Sequence, residues 1–589
     1  MSLDAWIVIG TICLCFFALL MTRWSADIVL MGGVTLLLLL GILDADQALS
    51  GMSNEGMVTV AVLFVVSAGL RETGAINWLS EFLLGKPSSV RGAQLRVMTP
   101  VAALSAFLNN TPVVAMLIPA VIDWGRKYKI SVSKLLMPLS YAAIIGGTCT
   151  LIGTSTNLVV NGMLIEKTGG SGLTMFELAW IGLPCVAVVF VYVLFASRWW
   201  LPERVSADMQ FADARQYTVE MIVCSDSALV GKSIEGAGLR QLNGLYLIEI
   251  ERNGRILPAV SPQERLEGND RLVFAGVVDS VVDLQKIRGL VPATNQVFKL
   301  NTPRPQRSFI EAVISDSCPL VGKSVREGKF RSRYNAAIIA VSRNGEQLKQ
   351  KIGDIVLRAG DTLLLEASPG FVDNYRNSRA FFLVSQLEGA STPRHDRAAL
   401  ALSILAGMVL LVATGMLSML KAAMLAAGLM IVTRCLAGGS ARRAIDWQVL
   451  VVIAASFALG QALFSTGAAD ELAALLMKFS GGDPYKALLA AYVATALLTA
   501  LVTNNAAAVL MFPVVFALAD SLGVSFMPFV IVLMVAASAG FATPIGYQTN
   551  LMVFGPGGYH FSDFVRMGIP LTILLGGVSM AVVPLVWPF

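Results

Sequence analysis

Two apolar stretches, far apart in this chain, are each interrupted twice by short clusters of uncharged polar residues. Leu108-Asn109-Asn110-Thr111-Pro112 breaks the run from about Val97 to Ile122, and Val502-Thr503-Asn504-Asn505-Ala506 breaks a run near the other end. Each is followed by an apolar segment containing a proline (Pro119, Pro513), a short link, another apolar segment and a second polar break. The second breaks are Gly153-Thr154-Ser155-Thr156-Asn157-Leu158 and Ala542-Thr543-Pro544-Ile545-Gly546-Tyr547-Gln548-Thr549-Asn550-Leu551. Aligning the prolines pairs Asn110 with Asn504 and Thr111 with Asn505. Asn110 then stands 47 residues before Asn157, and Asn504 stands 46 before Asn550. Unpaired backbone groups in hydrocarbon cost several kcal/mol each, so irregular backbone at that depth must line a cavity or be buried in protein. One such break reads equally well as interhelical glue worth about 1 kcal/mol per group. Four breaks in two matched pairs read as a binding cavity.

The chain is long enough for this reading and apolar enough. Of its 589 residues 56% are hydrophobic and only 14% charged, with mean hydropathy +0.70, where a soluble domain carries about 25% charged residues. The net charge of +5 fits basic cytoplasmic loops and gives no reason to expect a nucleic-acid partner. Two histidines (His395, His560) and seven scattered cysteines make no repeated metal spacing; Cys13 and Cys15, inside an apolar helix, read as small hydrophobes. No paired carboxylates, nucleophile–histidine set or cofactor loop is visible, so an enzyme is not expected. The apolar run Ala5 to Met21 lacks a preceding basic residue and a small-residue cleavage site, and reads as a retained helix.

In chain order, runs at roughly 5–21, 26–43 and 56–70 approach the ~20 residues of a membrane span. Ile76 to Leu84 is too short and is expected to form a surface helix. The run 97–122 reads as a re-entrant hairpin, because Pro112 lacks a backbone donor and both flanks are basic (Arg91, Arg96; Arg126, Lys127, Lys129, Lys134). A helix is expected to stop at Pro112. A broken segment (135–164) and a further span (176–196) follow. Spans at 398–416, 419–435 and 446–465, an amphipathic stretch Ala468 to Phe479, a second hairpin (487–518), a second broken segment (526–559) and a last span (567–587) complete the chain. Basic residues at Arg23, Arg71, Arg434, Arg442, Arg443 and Arg566 lie inside, with Asp44, Asp46, Glu55, Asp470, Glu471, Asp483 and Asp520 outside. Both termini are then outside and the halves are inverted, as alternating access requires. The expected division is 1–200 for the first membrane repeat, 205–295 and 303–390 for two soluble modules, and 396–589 for the second membrane repeat.

The soluble block is itself duplicated. Val230-Gly231-Lys232-Ser233 recurs as Val321-Gly322-Lys323-Ser324, Arg252-Asn253-Gly254 as Arg343-Asn344-Gly345, and Asp270 as Asp361, each 91 residues on. Asn-Gly between alternating apolar runs signals a hairpin, and two small βαβ-like α/β modules are expected. Gly-Lys-Ser is no phosphate loop, because Asp226 and Ser317 stand where the motif needs its first glycine.

The tips Asn109-Asn110-Thr111 and Thr503-Asn504-Asn505 resemble the Ser-Asn-Thr signatures of the divalent anion:sodium symporter family, within the ion transporter superfamily. Gly153 to Asn157 and Thr543 to Asn550 fall where that family has its unwound helices. The tandem soluble modules resemble TrkA-C (RCK-C) domains, a combination similar to sulfate permeases of the family. The resemblance implies a polytopic α-helical transporter with inverted repeats, two re-entrant hairpins and two broken helices, working as a homodimer by an elevator motion in the cell membrane. It implies sodium coupling, with Asn110, Gly153 and Asn157 in one sodium site and Asn504, Gly546 and Asn550 in the other. Asn109, Asn110, Thr111, Ser155, Thr156, Thr503, Asn504, Asn505, Thr543, Gln548 and Thr549 would face the substrate.

Asn109 and Thr503 replace the family's first serine, Asn505 replaces its last threonine, and the first break lacks the paired prolines of carboxylate carriers. No lysine, arginine or histidine lies in the breaks. An anion there would be held by amide and hydroxyl donors, helix N-termini and bound cations. The leading expectation is sodium-driven symport of a small divalent oxyanion, sulfate first. Di- or tricarboxylate or sulfonate transport is the alternative in the same class, and a nucleotide-sensing membrane receptor the alternative in another. The cytoplasmic modules would dimerise the protein or bind a regulatory nucleotide.

Overall fold

A computed structural model describes residues 2–22, 24–75, 84–87, 89–128, 130–170, 172–201, 203, 218–239, 245–252, 255–258, 263–276, 287–293, 308–315, 318–343, 346–348, 350, 352–367, 371, 375, 378, 380–386, 397–500, 502–544 and 546–589. Two compact units emerge: Met1–Glu203 with Thr392–Val553 and His560–Phe589, and Arg204–Ser391 with Phe554–Tyr559.

The larger unit is helical. Five of its helical stretches are long and apolar enough to cross a membrane: Ala45–Glu72 (interrupted at Asn54), Ala179–Trp200, Trp447–Ser465, Asn504–Leu522 and Phe561–Val586. Leu3–Leu19, Ala26–Leu39, Ala398–Ala413, Met419–Val432 and Met527–Ser538 are apolar and shorter. The peripheral helices turn large apolar side chains outward: Trp180, Leu183, Val191, Phe195 and Trp199 are all exposed on one helix. An outward face of that kind needs lipid rather than water. The helices Ser133–Gly147 and Met527–Ser538 are the reverse case, buried on nearly every side, and it is these two that end in the polar breaks. A helix apolar all round belongs in the middle of a large assembly.

Both halves pass through one succession of elements. In the first, helices Val90–Ser105 and Asn110–Lys127 are joined by a four-residue link, then Ser133–Gly147 ends in a break and the chain resumes as Ser155–Thr168. In the second, Pro484–Thr499 and Asn504–Leu522 are followed by Met527–Ser538, a break, and Gln548–Phe554. Pro112 does not stop a helix, as the sequence suggested. It sits in the first turn of Asn110–Lys127, where a missing N–H costs nothing; the chain breaks just before it. Pro119 and Pro513 lie inside their helices. Glycines allow the closest approaches. A Cβ on Gly146 would fall 2.4 Å from the Ala102 carbonyl oxygen, and one on Gly568 would fall 2.2 Å from that of Phe541. The surface helix expected at Ile76 to Leu84 lies, Leu84 excepted, outside the described residues.

The smaller unit holds two five-stranded sheets of one topology. In the first, β1 (Thr218–Val223), β2 (Leu245–Arg252), β3 (Arg255–Pro258), β4 (Arg271–Gly276) and β5 (Leu290–Pro292) are ordered β3-β2-β4-β1-β5. In the second, β6 (Ser308–Ile314), β7 (Ala336–Arg343), β8 (Glu346–Gln347), β9 (Thr362–Ala367) and β10 (Phe381–Gln386) repeat it as β8-β7-β9-β6-β10. The hairpin expectation at Asn-Gly holds in the flanking strands, with Arg252 opposite Arg255 and Arg343 opposite Glu346.

The βαβ-like expectation does not. Every described pairing is antiparallel, because the first strand of each module pairs with the fourth rather than crossing over to the second. The duplicated Arg and Asp form a structural staple. Arg252 Nε and Nη2 donate to the two Asp270 carboxylate oxygens at 2.9 Å each, and Arg343 does the same to Asp361 at 2.7 and 2.8 Å. Each Nη2 also reaches a carbonyl of the preceding turn (Arg265 or Val356), so the fork fixes the end of one strand to the approach to another. The hydrogen bond to the carboxylate pushes both guanidiniums above their ordinary range. Gly231 and Gly322 take φ +83°, and Ser233 and Ser324 accept from Gly236 N and Glu327 N. Gly-Lys-Ser is therefore a capped turn.

Candidate functional site

The two breaks are built alike. Asn157 Nδ2 donates to the carbonyls of Gly147 (3.4 Å) and Thr150 (3.0 Å), ten and seven residues back. Asn550 Nδ2 donates to Gly540 (2.8 Å) and Thr543 (3.1 Å), again ten and seven residues back. Each asparagine therefore folds its amide over the unwound turn and ties off carbonyls that a continued helix would have used. Repetition of this bond pair confirms in three dimensions the alignment of Asn157 with Asn550.

Each hairpin tip is bonded to the break of the other half. Thr111 Oγ1 donates to Gln548 Oε1 (3.0 Å), while Ser155 Oγ and Thr156 Oγ1 both lie 3.1 Å from Asn505 Oδ1. Thr111 and Asn505 follow the tip asparagines Asn110 and Asn504, and Gln548 and Ser155 each stand two residues before the break asparagine. The same pair of positions thus meets twice, once with the halves exchanged. Asn110 Nδ2 donates to the Tyr547 hydroxyl at 2.6 Å.

Three buried side-chain oxygens in the first half, Ser105 Oγ, Asn110 Oδ1 and Asn157 Oδ1, have no hydrogen-bond partner among the described residues. They belong to one neighbourhood, centred on Gly147. A Cβ there would fall 2.6 Å from Asn110 Oδ1 and 3.1 Å from the Gly153 carbonyl; one on Gly153 would fall 2.5 Å from the Gly147 carbonyl and 2.7 Å from that of Ser105. Asn110 and Asn157 are only 1% exposed, and Ser105 is fully buried. Leaving such an acceptor unmet costs about 1–3 kcal/mol. Three together, with backbone carbonyls beside them, make a pocket suited to a hard cation. The residues expected to form the first cation site, Asn110, Gly153 and Asn157, are brought together here.

Asn504, Gly546 and Asn550 are also brought together, around Thr499 and Thr543. Thr499 Oγ1 reaches Asn504 Oδ1 (3.3 Å) and the Ala537 carbonyl (2.8 Å), and Gly546 N donates to Thr543 Oγ1 (3.0 Å). Ser140 Oγ lies 2.8 Å from Asn550 Oδ1 and 2.9 Å from Thr549 Oγ1.

Of the residues expected to face substrate, Asn109 and Ser155 line a small cavity with Ser67, Phe64 and Leu405. Thr503 is different. It is exposed and is the N-cap of Asn504–Leu522, its Oγ1 accepting from Ala506 N, the ordinary use of threonine before a helix. Asn161 accepts from Leu173 N (2.7 Å) and holds a loop. Ser105, Ser140 and Thr499 were not singled out from sequence. Ser105 and Thr499 each precede the tip asparagine by five residues, a shared offset that could have revealed them.

A protein-family model for citrate transporters matches residues 16–478 and 463–589. The chain belongs to the citrate transporter family. It is a multi-pass membrane transporter and not an enzyme. A Chlamydomonas reinhardtii protein, provisionally named sulfur deprivation response regulator, is 38% identical over 570 residues, covering 95% of this chain and 97% of its own. An uncharacterised transporter of Synechocystis is 34% identical over 568 residues, covering 94% and 92%. Sodium/sulfate cotransporter 1 of Chlamydomonas reinhardtii is 28% identical over 745 aligned positions, covering 91% and 84%.

Proposed function

We propose that this protein is a sodium-driven symporter of a small divalent oxyanion, sulfate first, working by an elevator motion of the interlocked tips and breaks in a homodimer. The observation that carries the reading is the set of three partnerless buried oxygens beside the uncharged polar breaks. A cation held by Ser105, Asn110 and Asn157 would supply the positive charge that the breaks lack, so that ion and anion favour each other's binding. Asn504, Gly546 and Asn550 would take a second sodium ion. The inverted arrangement of the halves, the cytoplasmic placement of the TrkA-C-like modules and their regulatory or dimerising role belong to the same proposal.

Side-chain size favours a compact anion over citrate. Tyr547 and Gln548 occupy the places that Thr154 and Ser155 fill in the first half, and both long side chains cross toward the tip at Asn110 and Thr111. The relatives named as sodium/sulfate cotransporters support the same choice. Uptake of labelled sulfate by proteoliposomes, with and without an inward sodium gradient and against unlabelled thiosulfate, succinate, citrate and taurine, tests it. Gradient-driven accumulation displaced by sulfate and thiosulfate is expected. Displacement by citrate or succinate alone would reassign the substrate, and no accumulation under any gradient would favour a receptor.

A further inference from the structure

Thr154 and Tyr547 each stand three residues before the asparagine of their break, so they hold the same place in the two halves. Tyr547 lies near enough to Thr154 for the two side chains to interact. The matching positions thus meet side chain to side chain, but the residue types differ. Threonine ends at its own hydroxyl, whereas tyrosine is long enough to pass it and reach the opposite tip, where its hydroxyl accepts from Asn110 Nδ2 at 2.6 Å. The mirrored bond, from Asn504 to Thr154, is absent among the described residues; Asn504 is met by Thr499 of its own hairpin.

The bond to Tyr547 decides which way the Asn110 amide faces. A tyrosine hydroxyl has one proton and can also accept. Here it accepts from Asn110 Nδ2, so the amide nitrogen points toward the ring hydroxyl. The amide oxygen is then turned the other way, into the neighbourhood of Gly147 and Gly153 with Ser105 and Asn157. The ring is held closely as well. A Cβ on Gly540 would fall 3.2 Å from Tyr547 Cδ2, so glycine keeps the place in which the ring can lie.

We infer that Tyr547 is a positioning residue for the cation site of the opposite half, holding the Asn110 amide so that its oxygen faces the ion. This rests on the proposed sodium coupling. It assigns the second break a duty toward the first half's ion as well as toward the substrate. Any movement of the break that withdraws the hydroxyl frees the amide to rotate, so the ion is held firmly only while the two halves are engaged at Thr154 and Tyr547.

The test is Tyr547→Phe in the full chain, reconstituted in proteoliposomes, with half-saturating sodium and half-saturating sulfate measured separately. Loss of a single hydrogen bond corresponds to about a three- to tenfold change in an equilibrium. The half-saturating sodium concentration is expected to rise by about that factor, while half-saturating sulfate at saturating sodium changes less than twofold. Gly540→Ala presses on the ring at Cδ2 without removing the hydroxyl and should shift sodium in the same direction by less; it keeps the test alive if Tyr547→Phe fails to fold. Unchanged sodium half-saturation in a folded Tyr547→Phe protein overturns the inference while leaving symport intact. Equal rises for sodium and sulfate would mark a general packing defect and also overturn it. Wild-type uptake indifferent to sodium contradicts symport itself, and this inference with it.

Discussion

The two break-and-tip assemblies share a backbone plan but leave their polar atoms in different states. In the first half, Ser105, Asn110 and Asn157 each present a buried oxygen without a partner. In the second, Thr499 meets Asn504 and Ser140 meets Asn550, and the oxygens left over among the described residues are those of Ser456 and Ser538 rather than of the tip or break asparagines. The carbonyl ties of Asn157 and Asn550 are the same in both halves, so the difference comes from side chains donated by neighbours. Ser140 is the clearest instance. It lies in the buried helix Ser133–Gly147 of the first half, yet it fills a bond in the second. Duplication supplies a repeated scaffold for unwound backbone, and single hydroxyls then decide how open each copy stays to an ion.

That contrast can be broken by substitution. The largest effect is expected from Asn110→Ala, which removes an open oxygen and the anchor of Tyr547; sodium-driven sulfate uptake should fall by about a hundredfold, as for loss of a charge-assisted contact. Wild-type uptake in this variant would remove Asn110 from the site. Asn504→Ala should cost about tenfold, because Thr499 already meets its amide. A loss as deep as that of Asn110→Ala would mean that the halves are equivalent despite their bonding. Ser140→Ala sharpens the contrast from the other side by opening Asn550 Oδ1. The half-saturating sodium concentration should change by about threefold, the lower end of the scale of one neutral hydrogen bond, and a sodium curve superimposable on the wild type would show that Ser140 does not govern the second assembly.

Much of this frame is readable from the sequence, since a break in an apolar run is a local event. Asn110, Asn157, Asn504 and Asn550 announce themselves by type and by nearly equal spacing. Their partners do not. Thr111 bonds Gln548 437 residues away, and Ser140 bonds Asn550 410 residues away, and no periodicity records contacts at such range. Ser140 looks like any small residue in an apolar helix, and Tyr547 looks like packing until its hydroxyl is seen against Asn110. Thr503 carries a second signal. A threonine directly before a helix has a local use as a cap, which competes with a role toward substrate. In the smaller unit the duplication and the Asn-Gly hairpins were legible, but the strand pairing was not, because β1 with β4 and β6 with β9 is a choice made between segments far apart in the chain.

Binding of radiolabelled sodium to the purified protein, in wild-type form and as Asn110→Ala, addresses the open first assembly most directly. Saturable binding in the wild type, lost in Asn110→Ala while the variant keeps its melting temperature, is the predicted result. Equal sodium binding by the two folded proteins would contradict the assignment of those buried oxygens to an ion.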